Sequence, residues 1–163
     1  MRREWMVPTL AGVLCVVPAH AVQYLDVVSA QKVIFPKADR FEKVLLAANK
    51  STAKVWIAFS GETQLGYFIV DEVIGKHEYI TFAVGLDNKH SLLQLEIMDY
   101  RESYGGQVRE EKWRHQFVGK TSQSSLKFEK DILNISGATL SCRHVTEGVK
   151  RVLDLFAVMD SQP

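Results

Sequence analysis

The sequence predicts an α+β domain: a twisted antiparallel sheet flanked by N-terminal and C-terminal helices. Three observations carry that prediction. Residues 54–101 hold four strand-like runs separated by turns, and in 78–86 and 91–101 apolar residues recur with a period of two. Val145, Val149, Val152, Leu153 and Phe156 fall at i, i+4, i+7, i+8 and i+11, one stripe of a 3.6-residue period. Strand and helix patterns stay segregated along the chain, as they do when helices pack on an antiparallel sheet.

Taken in order, residues 1–21 read as a signal peptide and not as part of the domain. Arg2 and Arg3 form a basic start, Leu10 to Val17 an apolar run, and Ala19-His20-Ala21 an A-x-A cleavage signature after Pro18. The apolar run is well below the roughly 20 residues that span a bilayer. Leu14 is too bulky before Cys15 for a lipidation signal. The mature chain, 22–163, is therefore expected to be exported, by a signal of bacterial type, to the periplasm.

Val27 to Phe35 reads as a short helix stopped by Pro36. Asp39 is expected to cap a second helix, with Phe41, Val44, Leu45 and Ala48 on one face. After polar Asn49 to Thr52 the period changes. Lys54 to Ser60 is strand-like, Gly61 to Leu65 a turn, and Gly66 to Ile74 a second strand. Glu78 to Leu86 is a third, with Ile80, Phe82, Val84 and Leu86 on one face. The turn Asp87-Asn88-Lys89-His90 links it to Ser91–Arg101, where Leu93, Leu95 and Ile97 alternate. Arg109 to Phe117 reads as a charged helix carrying Trp113 and Phe117 inward. A short β-like run over Asp131–Ile135 and a small-residue turn then lead into the last helix, which continues to about Met159.

Charge and cysteine content narrow the function. A formal charge of +1 leaves no basic footprint for nucleic acid. Once Cys15 is removed, Cys142 stands alone and cannot form an internal disulfide. It reads as a small half-buried residue at a helix start before it reads as a redox group. No Cys-x-x-Cys-His haem motif occurs, and His77, His90, His115 and His144 lack metal-ligand spacing.

Ser136-Gly137-Ala138-Thr139-Leu140-Ser141 is the stretch with chemical content. Small residues before a helix let a ligand approach the backbone, and a helix N-terminus offers N–H groups to an anion. Ordinary helix capping by the Ser and Thr hydroxyls accounts for the same pattern. Tyr100 to Val108 adds the adjacent glycines Gly105 and Gly106 at a strand end, a place for a flat ligand or an ordinary loop. Lys76, in the turn Gly75-Lys76-His77-Glu78, reads on its own as a solvated lysine.

The Ser136–Ser141 stretch resembles the flavin-attachment motif of the FMN-binding domain family. That family includes the flavin-carrying subunits of the sodium-pumping NADH:quinone reductase and of the Rnf electron-transport complex, with small exported relatives. The resemblance extends to Glu102-Ser103-Tyr104-Gly105-Gly106, to Trp113…Phe117-Val118-Gly119-Lys120, and to the N-terminal run Tyr24–Arg40. It departs where the family has an acidic residue six positions before the acceptor Thr: here Leu133 stands there, with Asp131 two residues further upstream. The resemblance implies FMN joined through its phosphate to Thr139 by a dedicated flavin transferase. Ser136, Gly137, Ala138, Ser141, Glu102, Ser103, Gly105, Gly106 and Lys76 are then the expected cofactor contacts. It further implies an electron carrier that exchanges electrons with a membrane-bound or cytochrome redox partner. A flavin-dependent reductase of a small acceptor, and a cofactor-free exported interaction domain, are the alternatives.

Overall fold

The computed structural model describes residues 22–45 and 52–160. The signal-peptide reading, Ala48, and the polar residues from Asn49 to Ser51 lie outside them.

Six antiparallel strands form one sheet in the order β1-β6-β5-β4-β3-β2. They are β1 (Val22–Gln23), β2 (Arg40–Val44), β3 (Lys54–Ser60), β4 (Thr63–Ile74), β5 (Tyr79–Leu86) and β6 (Leu92–Tyr100). Helix α1 (Val27–Ile34) packs on one face and α3 (Thr139–Asp160) on the other. The expected α+β class, with helices flanking an antiparallel sheet, is the observed one.

The two helices create two cores. On the α1 face Ala30, Ile34 and Phe35 meet Ala58, Phe68, Val70, Ala83 and Met98. On the α3 face Val145, Val149, Val152, Leu153 and Phe156 meet Ile69, Val73, Ile80, Phe82, Val84 and Leu86. All five stripe residues of α3 are buried. At roughly 1.5–3 kcal/mol per fully buried side chain, this stripe outweighs any helix cap, worth about 1 kcal/mol. Packing, then, fixes how α3 lies on the sheet and so directs its first turn.

Several expected elements differ. Residues 40–44 form an edge strand and not a helix, paired with β3 from Arg40↔Phe59 to Val44↔Val55. Asp39 caps no helix: its Oδ2 accepts the Gly61 N–H at 2.7 Å, closing the β2–β3 end of the sheet. The turn before β4 is shorter than expected, because the strand already starts at Thr63. Leu93 does not share a face with Leu95 and Ile97. A bulge between Gly85 and Leu86 pairs Leu86 with Leu92, so Leu92 enters the core and Leu93 is exposed. The charged helix starts later and changes pitch: a separate 3-10 turn at Gly106–Arg109 precedes it, and α2 (Glu111–Arg114) continues directly into a 3-10 turn at His115–Phe117. Trp113 and Phe117 are nevertheless buried, as expected. The β-like run before α3 is no strand, only an isolated bridge between Phe128 and Ile132.

These turns cover the rim of β6 beyond its pairing with β1. Leu92 exchanges backbone hydrogen bonds with Gly119 and Lys120, and Arg114 donates to Leu95 O at 2.5 Å while pairing with Glu96. An edge capped in this way offers no template for another strand.

Candidate functional site

Three chain segments converge beside the N-terminus of α3: the β4–β5 loop (75–78), the loop after β6 (101–106) and the turn at 135–138. Each is shaped by a local necessity. In the turn, Ala138 N–H donates to Ile135 O at 2.9 Å and Gly137 sits at φ +83°. That is the third position of a four-residue turn, where positive φ favours glycine. Gly105, at φ +89°, stands where an added Cβ would lie 2.7 Å from Tyr100 Oη and 3.2 Å from Ala138. Only a residue without a side chain lets the loop after β6 lie against the turn.

Tyr100 ties these pieces together. The bulge between Thr81 and Phe82 pairs Phe82 with Ile97 but Thr81 with Asp99. The extra residue, Met98, goes to the α1 face, so Ile97 and Tyr100 both end on the α3 face. The Tyr100 hydroxyl donates to Tyr104 O at 2.5 Å and lies 3.0 Å from Ser141 Oγ. With its proton committed to Tyr104, Tyr100 Oη accepts the proton of Ser141. Burial pushes the Tyr100 phenol up from its ordinary value, against the lowering effect of the Ser141 bond.

Glu102 fixes the β4–β5 loop. Its Oε1 accepts from His77 N–H at 2.6 Å and Glu78 N–H at 3.1 Å. An added Cβ on Gly75 would meet that oxygen at 2.5 Å. Burial raises the Glu102 carboxyl, but the hydrogen bonds from His77, Glu78 and Lys76 N–H outweigh it and hold it below the usual glutamate range.

The convergence encloses a cavity of about 470 Å³, lined by Lys76, Glu102, Ser103, Gly137, Ala138, Thr139 and Ser141. Seven of the ten expected site residues thus share one cavity. His77, Tyr104 and Leu140 complete its lining, and nothing in the local sequence pattern singled them out. Gly105 and Gly106 face an adjoining cavity of about 590 Å³, with Tyr24, Tyr100 and Arg109, across the loop after β6. Arg109 closes that loop by donating from Nε to Gly106 O at 2.9 Å, and its guanidinium lies 4.2 Å above the Tyr24 ring. Ser136 is exposed on the turn, outside both linings.

The hydroxyls at the start of α3 are not helix caps. Ala138 precedes the first helical residue, and its side chain carries no acceptor. Thr139 lies within the first turn, half-buried, and its Oγ1 accepts a 3.0 Å bond from Asn134 Nδ2. The N–H groups of Thr139, Leu140 and Ser141 lack acceptors within the helix by construction. The cavity therefore opens on a hydroxyl, free backbone donors and a lysine, a set suited to a phosphorylated ligand.

Cys142 is fully buried beneath this turn, and burial pushes its thiol above the ordinary value. A buried neutral thiol is a packing residue. Among the described residues no group of three or more His, Cys, Asp or Glu is placed to hold a metal ion. Asp131, upstream of the turn, is committed elsewhere: its carboxylate accepts from Ser125 Oγ and, at 2.8 Å, from Lys127 N–H.

The family model described as FMN-binding domain matches residues 75–154, from the β4–β5 loop to the middle of α3. No curated protein matches the chain.

Proposed function

We propose, from the premise that this chain belongs through residues 75–154 to the FMN-binding domain family and is a flavin-binding protein, that it is an exported electron carrier with FMN esterified to Thr139. The observation that carries the reading is the position of the Thr139 hydroxyl, held by Asn134 on the cavity wall among otherwise uncapped helix N–H groups.

The residues present fit a phosphate-linked flavin. The first turn of α3 supplies donors and the positive end of its dipole, worth about 0.3–1 kcal/mol for an anion. That is too little to retain a cofactor, which is the physical reason for a covalent link. An exported protein cannot readily recover lost FMN, so a tether keeps it loaded. Lys76 lines the same cavity and brings a positive charge toward the ring. Ser103 offers a hydroxyl, and Tyr100, bonded to Tyr104 O and to Ser141, keeps the loop after β6 against the start of α3. When bound, the flavin supplies one- and two-electron chemistry, and the protein's work is to orient it and tune its surroundings. No side chain here is asked to act as acid, base or nucleophile toward a substrate. The redox partner is then a membrane-bound protein or a cytochrome, and maturation needs a flavin transferase.

The test is the intact mass of protein exported alongside a transferase. It should rise by one FMN less one water, and the yellow colour should survive unfolding. Thr139→Ala should abolish the link without unfolding the domain. Flavin lost on denaturation, or found on Ser141, would overturn the acceptor assignment.

A further inference from the structure

We infer that Asn134 is a positioning residue for the Thr139 hydroxyl, held ready by a clamp that Trp113 and Gln116 place on the backbone of Leu133. The inference rests on the reading of Thr139 as the flavin acceptor.

The clamp uses both backbone polar groups of one residue. Trp113 Nε1–H donates to Leu133 O at 2.8 Å, and Leu133 N–H donates to Gln116 Oε1 at 2.8 Å. Gln116 is itself tied down by its Nε2–H bond to Trp113 O at 3.1 Å, and Trp113 is buried. The Leu133 side chain is 65% exposed, so packing does not hold this residue; its backbone bonds do. On its other side Ile132 is fully buried. Asn134 therefore leaves a fixed stretch of backbone, and its Nδ2–H reaches Oγ1 of Thr139.

An exposed hydrogen bond between two side chains adds little to stability. Its effect here is on orientation. Thr139 opens α3, so no preceding helical turn restricts its χ1. The Asn134 donor to Oγ1 is what favours one χ1 rotamer over the others. Esterifying a phosphate with an alcohol in water is uphill, so the flavin donor must be a phosphoanhydride, of which flavin adenine dinucleotide is the usual form. The Oγ1–P bond forms as the P–O–P anhydride breaks. AMP leaves with the bonding pair, and the hydroxyl proton passes to a base of the transferase. No group changes oxidation state. In-line attack depends on where Oγ1 points, and misplacement of a reacting atom by about 1 Å can cost on the order of a hundredfold.

Two measurements test the inference. In the absence of flavin, three-bond couplings about χ1 of Thr139 should report one rotamer in the wild type and averaging in Asn134→Ala. With a flavin transferase and flavin adenine dinucleotide, and this protein as the varied substrate, Asn134→Ala should lower kcat roughly ten- to a hundredfold while KM stays put. Unchanged kcat in Asn134→Ala, or a single Thr139 rotamer without Asn134, overturns the inference while leaving the acceptor assignment intact. A wild type that never takes up flavin overturns the acceptor assignment and this inference with it.

Discussion

At the scale of single residues, Tyr100 shows how one backbone irregularity determines a site. Without the bulge at Met98, strict alternation from Ile97 would send Tyr100 to the α1 face, away from Ser141. With it, one buried phenol joins strand, loop and helix. Tyr100→Phe keeps the ring and removes the bridge, leaving the buried Ser141 hydroxyl without its acceptor. The expected cost is about 1–3 kcal/mol, read as a lower urea midpoint with an unchanged slope. No loss of stability would show that the bridge is dispensable. Cys142 illustrates the opposite case. A lone thiol next to the proposed flavin site invites a chemical role, yet its complete burial assigns it to packing.

At the scale of elements, α3 is placed by a close approach to the sheet. An added Cβ on Gly148 would lie 2.7 Å from Val73 Cγ1 and 2.9 Å from Phe82 Cζ, both buried side chains. Gly148→Ala sets a helix-propensity gain of up to about 1 kcal/mol against an overpacking cost of about 1–3 kcal/mol. The clash should win, and calorimetry should show a lower Tm; a higher one would mean that the helix can lift off at little cost. The same helix was legible in the sequence, because a stripe of five apolar residues has one reading. So were β3 and the β5–β6 hairpin. Residues 40–44 were not. Phe41 and Val44 suit a helix face as well as a strand, and pairing with β3 decides between them. The Trp113–Phe117 spacing likewise suited one α-helix from Arg109, but extended backbone at Glu110 delays its start to Glu111, and the run tightens to 3-10 at His115. Within the site, Thr139 and its neighbours were recognisable as a contiguous motif. Tyr100, His77 and Asn134 were not, because what each does depends on a partner that no local periodicity marks. Tyr100 and Ser141 are 41 positions apart.

At the scale of the whole molecule, the cavity is assembled from loops, whereas the sheet is held from both faces. On the α3 face the packing is fastened further by Arg151, which reaches from α3 to the buried carboxylate of Asp71 on β4 at 2.7 Å. The loops carry no comparable burial, and for 75–78 the main tie is one carboxylate, Glu102. The site should therefore open before the fold does, as low-stability regions commonly do. Acid is the means to show it. The Glu102 carboxyl is held below the ordinary glutamate value of 4.5 in the folded chain. A depressed carboxyl contributes its stabilisation fully above the unfolded value and loses it as pH falls through the folded one. Protection of the His77 and Glu78 amides against hydrogen exchange, corrected for the intrinsic rate at each pH, should hold down to about pH 4.5 and decline below it. Amides in the centre of β4 and β5 should remain protected over the same interval. Glu102→Ala should lack the His77 and Glu78 protection at neutral pH and show no such acid step. If loop and sheet amides instead lose protection together, the cavity is as stable as the fold that carries it, and Glu102 is not its separate fastening.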